Sequence, residues 1–161
     1  MSRDLDSRIS PREVAAVEDF YSPAHANASA HFMRDHPAHN AYIMGGMWGM
    51  KIPPVREAVY TAFKKLLKDP VSYGTRSKGG YDQVALGSWI YPWAKWKALS
   101  HDSYLCMKYP RTSPWPTRRP QGPGNYVGSI HSLEGSLPMT PEYECPERCR
   151  PQEHRKDWLY C

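Results

Sequence analysis

Apolar positions first fall into a regular pattern at Val14, Val17 and Phe20, three residues apart, and the polar residues ahead of them read as a helix start. Ser10 is placed to cap, Pro11 suits a first helical position whose N–H needs no partner, and Glu13 completes a Ser-x-x-Glu capping box. This helix is expected to end before Ser22-Pro23. Residues 21–40, rich in Ala, His and Pro, read as loop with a short extended piece at His31-Phe32-Met33. The apolar run Ala41-Tyr42-Ile43-Met44, closed by Gly45-Gly46, is expected to be a short buried strand. A second helix is expected from Pro54 to Lys68, with Val55, Val59, Phe63 and Leu66 or Leu67 on one face. Lys64, Lys65 and Lys68 favour its carbonyl end, and Asp69-Pro70 stops it. Residues 81–100 carry Val84, Leu86, Trp89, Ile90, Trp93 and Trp96 at helical spacing, interrupted by Pro92. Short strands at residues 104–106 and 126–130 bracket a Pro-rich basic loop, and the chain from Pro138 onward reads as irregular. The mixture makes α/β or α+β the expected class, with a main region 1–137 and a cysteine-containing tail 138–161.

Composition sharpens this picture. In 161 residues, Leu, Ile, Val and Phe number only 24, while Trp, Tyr and Met supply another 24. Aromatic bulk in place of aliphatic bulk argues for a folded domain with wide ring faces, suited to stacking on sugars or bases. Sixteen prolines exclude a coiled coil and make much of the chain irregular. No apolar stretch is long enough to cross a membrane, and the first residues lack the apolar core of a signal peptide. The net charge of +5 suits an anionic ligand such as a nucleotide diphosphate, an acidic glycan or a nucleic acid, without choosing among them.

Several residues carry candidate chemistry. Asp4 and Asp6, alternate residues of an extended chain, present two carboxylates on one side and suit a hard divalent cation shared with diphosphate oxygens; the structural alternative is a solvated acid pair. Gly45-Gly46-Met47-Trp48-Gly49 offers bare backbone to a sugar and Trp48 as a stacking face, or else a tight turn that packs Met47 and Trp48 into the core. Asp82, with Gln83, stands at an expected helix start as an acceptor base, a sugar ligand or a simple helix cap. Arg118 and Arg119 offer guanidinium forks for phosphate or an acidic acceptor, and Lys51 a single cation. In the tail, Cys145, Cys149, His154 and Cys161 are chemically adequate for zinc, but their spacing favours a disulfide from Cys145 to Cys149 or Cys161. The cysteines and the Asn27-Ala28-Ser29 sequon point weakly to the secretory lumen, with the cytoplasm as the alternative.

Six segments recur in a fixed order: Arg3-Asp4-Leu5-Asp6-Ser7-Arg8, His31-Phe32-Met33-Arg34-Asp35-His36-Pro37, Gly45-Gly46-Met47-Trp48-Gly49, Asp82-Gln83, His101-Asp102-Ser103-Tyr104 and Pro116-Thr117-Arg118-Arg119. As a set they resemble a poorly characterised group of nucleotide-sugar glycosyltransferases with a GT-A-like fold. The likeness spans nearly the whole chain and corresponds to the acceptor-side part of such an enzyme, from the metal motif onward, without the nucleotide-binding half that precedes that motif in the family, so an inactive fragment is an alternative to a transferase completed by such a half. It implies transfer of a sugar from a nucleotide diphosphate to a hydroxyl on a glycan or glycoconjugate. By that resemblance, Asp4 and Asp6 would hold Mn²⁺ or Mg²⁺, with His131 or His101 as a third ligand. Arg34, Asp35, Gly45, Gly46 and Trp48 would line the donor-sugar site, with Gln83 and Arg118 binding substrate and Asp82 acting at the acceptor. Two other classes compete. A noncatalytic carbohydrate-binding module would use Trp48, Trp93, Trp96 and Trp115, and a nucleic-acid binder, not expected, would use the basic loop and a tail zinc site.

Overall fold

The structure, a computed structural model, describes residues 1–5, 7–68, 80–109, 111–122, 124–132, 135–136 and 143–161. Asp6, the expected helix stop at Asp69-Pro70 and Pro138 lie outside them. The elements run β1 (Ser2–Arg3), α1 (Pro11–Tyr21), β2 (Ala30–Arg34), β3 (Met47–Met50), α2 (Arg56–Lys68), α3 (Tyr81–Trp89), α4 (Tyr91–Ala94), β4 (Ala98–Asp102) and β5 (Thr112–Ser113). A two-stranded pair, β6 (His131–Ser132) and β7 (Gly135–Ser136), follows.

β1 to β5 form one open mixed sheet of order β1-β3-β2-β4-β5. Only β3 is reversed: it pairs antiparallel with both β1 and β2, whereas β2–β4 and β4–β5 are parallel. The sheet is covered on both faces, and the period-two alternation of β2 shows how. Ala30 and Phe32 pack with Tyr91 and Ala94 of α4, Ile43 and Tyr109 on one side. Met33 packs on the other side with Ala16 of α1, Met47, Trp115 and Val127. Every residue of β2 is buried.

The first helix begins and ends where its sequence directs. Pro11 opens it and Ser10 Oγ accepts a hydrogen bond from Glu13 N at 3.2 Å. Glu13 does not complete the box in the usual way, because its carboxylate pairs with Arg3 at 2.5 Å. The extended piece at His31 proves to be the central strand, and α2 follows a short turn at Pro53–Val55.

Four expected elements are corrected. Residues 41–44 are buried at Ile43 but form no strand: the Arg34 guanidinium binds the carbonyls of Ala41, at 3.1 Å, and Tyr42, taking the place of a strand partner. Residues 104–106 turn away because the Asp102 carboxylate accepts from the N–H groups of Tyr104, at 3.0 Å, and Leu105, at 2.6 Å. Residues 126–130 form a turn, with Ser129 N donating to Tyr126 O at 3.2 Å and Gly128 at φ +84°, a conformation that suits glycine. The helical reading of residues 81–100 holds only to Lys97, since α3 ends at Trp89, Pro92 sits in the first turn of α4, and β4 starts at Ala98.

The tail is also corrected. Cys106 pairs with Cys149 and Cys145 with Cys161, with Cα–Cα distances of 5.5 and 6.1 Å, so the tail has no free thiolate for zinc and no Cys145–Cys149 bond. Such bonds form in oxidising compartments. No helix among the described residues is long and apolar enough to cross a membrane.

At the centre of the molecule lies Asp35, fully buried just beyond β2. Five donors converge on its carboxylate: Arg12 Nε and Nη2 at 3.0 Å each, Ser103 Oγ at 2.6 Å, Arg119 Nη2 at 2.6 Å and Val127 N at 3.0 Å. Arg12 also donates to the carbonyls of Thr117 and of Cys161, the latter at 2.6 Å, so one guanidinium joins α1, the basic loop and the tail. Removing a partner from a buried ion pair strands the other charge. Arg12→Leu is therefore expected to lower stability by about 3–5 kcal/mol, read as a shift of the urea unfolding midpoint. A midpoint unchanged from wild type refutes this role.

Candidate functional site

Because β1, β2, β4 and β5 run the same way, their carboxyl ends share one edge of the sheet. In open α/β sheets ligands bind at that edge. Asp4 follows β1, Asp35 follows β2, Ser103 follows β4, and Gly45-Gly46 lead into the reversed β3 between them. Register makes this concrete: Arg3 faces Met47, and Arg34 faces Asp102.

The Gly45-Gly46 turn is closely covered by two carboxylates from distant parts of the chain. A Cβ on Gly45 would lie 1.7 Å from Asp82 Oδ2, and one on Gly46 would lie 2.1 Å from Asp4 Oδ2. Only glycine at both positions lets the carboxylates approach the backbone this closely. Ser2 Oγ donates to Gly45 O at 3.0 Å and ties the turn to β1. Asp4 and Asp82 are both exposed, so they stand at a surface and not in the core. Asp82 is the second residue of α3, whose cap is Gly80, and so is not itself the cap.

The other candidate residues divide between wall and rim. Arg34 and Asp35 are both buried and fully engaged, Arg34 with Asp102 at 3.5 Å and with the 41–42 carbonyls, so they form the wall of the edge and do not face a ligand. Trp48 is half-buried beside the glycine turn, and Gln83 follows Asp82 on α3. Arg118 is exposed, whereas its neighbour Arg119 is the buried partner of Asp35. Lys51 is used structurally, its ammonium donating to Phe20 O at 2.9 Å and to His25 O at 3.3 Å. Trp115 is 1% exposed and lies against the Arg12 guanidinium, which removes it as a stacking platform for carbohydrate.

Of the carboxylates expected to hold a cation, Asp4 lies over Gly46, and Asp6 is outside the described residues. No three His, Cys, Asp or Glu side chains among the described residues are grouped to hold a metal by themselves. A hard cation that takes its remaining positions from phosphate oxygens and water needs only one or two carboxylates, so the donor set suits Mg²⁺ or Mn²⁺ bound with a diphosphate. The antiparallel bridge between Ser7 and Ile130 brings the chain leading into His131 beside Ser7, three residues from Asp4. His101 cannot serve there. It lies three strand positions, roughly 14 Å, from β1, and both its ring nitrogens are in use.

Those nitrogens belong to a buried chain that sequence reading did not foresee. His101 Nε2 donates to Asp19 Oδ2 at 3.2 Å, which leaves His101 Nδ1 to accept from His31 Nε2 at 2.8 Å. His31 Nδ1 is then a buried acceptor without a donor. A second pair stands beyond β2. His36 Nδ1 accepts from Ala38 N at 3.0 Å and His39 Nδ1 from Asp35 N at 3.1 Å, so the proton of each neutral ring is on Nε2, and both rings pack against Tyr126. Around Asp35, burial alone would raise the carboxyl, but Arg12 and Arg119 outweigh it and hold it at about 2. Both guanidiniums that hold Asp35 are themselves buried, and Arg119 Nε has no hydrogen-bond partner among the described residues.

No family model, curated protein or solved structure matches the chain. The class that fold and geometry define is an α/β domain with a two-carboxylate, two-glycine cleft at the carboxyl edge of its sheet.

Burial lowers the affinity of the histidines for protons: His31 falls to about 2 and His39 to about 3, and His36 and His101 are lowered too. Below about pH 6.5 the unfolded chain gains protons at these rings that the folded chain refuses, so stability is complete above that pH and falls on acidification. Asp35 acts in the same direction at lower pH, its contribution being lost as pH drops from the ordinary carboxylate range towards 2. His31 and His39 are each expected to subtract about 1.4 kcal/mol per pH unit once pH is below 6. Thermal melts from pH 7.5 to 5 check this: the midpoint should fall, and fall less in His31→Gln. A midpoint that rises on acidification contradicts it.

Proposed function

We propose that the cleft serves metal-dependent glycosyl transfer, from a nucleotide-diphosphate sugar to a hydroxyl, and that this chain supplies the sugar and acceptor side of that reaction. One observation carries the reading: Asp4, from the amino terminus, and Asp82, from α3, close over adjacent glycines of the turn that presents Trp48. Three of the six segments behind the GT-A-like resemblance thus meet at one place, at the edge where α/β sheets bind ligands.

The roles follow from chemistry. Asp4, with Asp6 and His131 as further donors, would hold Mn²⁺ or Mg²⁺. The bound cation would offset the charge that develops on the leaving diphosphate. In the net reaction the acceptor oxygen forms a bond to the sugar carbon, and the bond from that carbon to the phosphate oxygen breaks, its electron pair leaving on the diphosphate. The hydroxyl proton passes to a carboxylate, for which Asp82 is positioned. Trp48 would stack on a sugar ring. Gln83 and the exposed Arg118 remain available for substrate hydroxyls or phosphate.

Calorimetric titration with a panel of nucleotide diphosphates and nucleotide sugars, each with Mn²⁺ and with chelator, tests the reading. Binding of one nucleotide is expected with metal and not without it. Asp4→Asn and Gly46→Val, which pushes a side chain into the Asp4 carboxylate, should each weaken binding by at least about tenfold, the loss of one strong contact. Failure of every nucleotide to bind, or binding indifferent to chelator and to both substitutions, removes the transferase assignment.

A further inference from the structure

Beside the glycine turn, between α2 and α3, opens a cavity of about 400 Å³. Val59, Ala62, Phe63 and Leu66 of α2 face Ala85, Leu86 and Trp89 of α3 across it, and Trp48 and Ile90 complete its apolar wall. This explains an oddity of α2. The helix carries the apolar stripe read from its sequence, yet Ala62 is its only buried residue, and Phe63, which lines the cavity, remains about half exposed. A helix that turns its apolar stripe to a neighbour and still leaves it open lies over space that the described residues do not fill. At one end of this space stand Asp82, Gly45, Ser2 and Tyr81; among the described residues no lysine, arginine or histidine lines it.

We infer that this cavity binds the apolar body of a neutral, hydroxyl-bearing molecule, an aliphatic or aromatic alcohol, with its hydroxyl at Asp82. The volume lies within the range of small-molecule sites, roughly 300–1,000 Å³. An anion is disfavoured, because it would meet the Asp82 carboxylate, and no cation among the described lining residues offsets that charge. An ammonium is disfavoured from outside: Lys64, Lys65 and Lys68 crowd α2, with Lys65 Nζ already 6.0 Å from the Trp89 ring. A free sugar has few partners in a wall this poor in polar groups. An alcohol satisfies both ends, its hydroxyl donating to the carboxylate and its body covering Trp48, Phe63 and Trp89. That this alcohol is the glycosyl acceptor rests on the transferase reading; that the cavity takes it does not. It narrows the acceptor to a molecule whose hydroxyl is borne on an apolar body and not on a glycan.

The test uses three naphthalenes of one shape, 2-naphthylmethanol, 2-naphthylmethylammonium and naphthalene-2-carboxylate, with naphthalene itself, titrated without nucleotide or metal. The alcohol should bind once per chain and about tenfold more tightly than naphthalene, the increment of one good hydrogen bond. Asp82→Ala should erase that preference while leaving naphthalene binding in place. Phe63→Glu, at an exposed helix position where folding is little disturbed, should abolish binding of all four, and so should Ala85→Trp, which fills the cavity. Ammonium binding tighter than alcohol binding, equal binding of alcohol and naphthalene, no binding of any, or binding that survives both wall substitutions would each overturn the inference. The nucleotide titration stands apart: alcohol binding without nucleotide binding keeps this site and removes the transferase, and the converse keeps the transferase and removes this acceptor.

Discussion

The structure depends on one buried carboxylate. Asp35 accepts from five donors supplied by the first helix, the turn after β4, the basic loop and the turn at Val127. A carboxylate without access to water must be neutralised and hydrogen-bonded, or it neutralises itself by taking a proton. Here two guanidiniums keep it ionised, and the cost of separating them is what holds irregular segments to the sheet. This matters more than it would in an aliphatic core, because so few Leu, Ile and Val residues are available to bury. Loops rich in proline pack here through directed bonds where other domains use apolar area.

That arrangement bears on the cleft through geometry. The same residues that close the core, Arg34, Asp35, Asp102 and Ser103, stand at the carboxyl ends of β2 and β4, where they are tied to one another and buried, so any chemistry at this edge is carried by what lies on top. Asp4 and Asp82 reach the glycine turn from outside, one from the end of β1 and one from the start of α3. Exposed carboxylates on a fixed backbone cradle suit a task in which a cation and a substrate come and go. Buried ones, such as Asp35, suit permanent attachment.

The sequence disclosed local features more readily than tertiary ones. Ser10 and Pro11 act within a single turn, so the bounds of α1 were legible, whereas the Glu13 carboxylate pairs with Arg3 instead of the cap. The strand proposed at residues 41–44 failed because an apolar run reports burial and not backbone pairing; Ile43 is indeed buried, but Arg34 satisfies the carbonyls of its neighbours. The same reason hid the pairing of Asp35, since nothing near it in sequence names Arg12 or Arg119 as partners. In the basic loop, sequence cannot distinguish Arg118 from Arg119, although one is exposed and the other buried. His31 left a trace, a lone polar residue inside the extended run Ala30-His31-Phe32-Met33, where only a strand covered on both faces would bury it. The cleft itself was partly legible, since Asp4, Gly45, Gly46, Trp48 and Asp82 were each singled out, but their meeting depends on a reversed β3 that no spacing reveals.

The contrast between the two sides of the glycine turn is the final constraint on any ligand. Towards Asp4 the turn meets an exposed carboxylate; towards Asp82 it meets a wall of aromatic and aliphatic groups with one carboxylate at its edge. A molecule that bridges the turn must therefore change character along its length, ionic at one end and apolar at the other, or two different molecules must meet there. Group transfer between a polyanionic donor and an apolar acceptor is the second case. For the transferase proposed above, the turn has a purpose beyond compactness: without side chains at Gly45 and Gly46, two carboxylates come close to one stretch of backbone and so to one reacting centre.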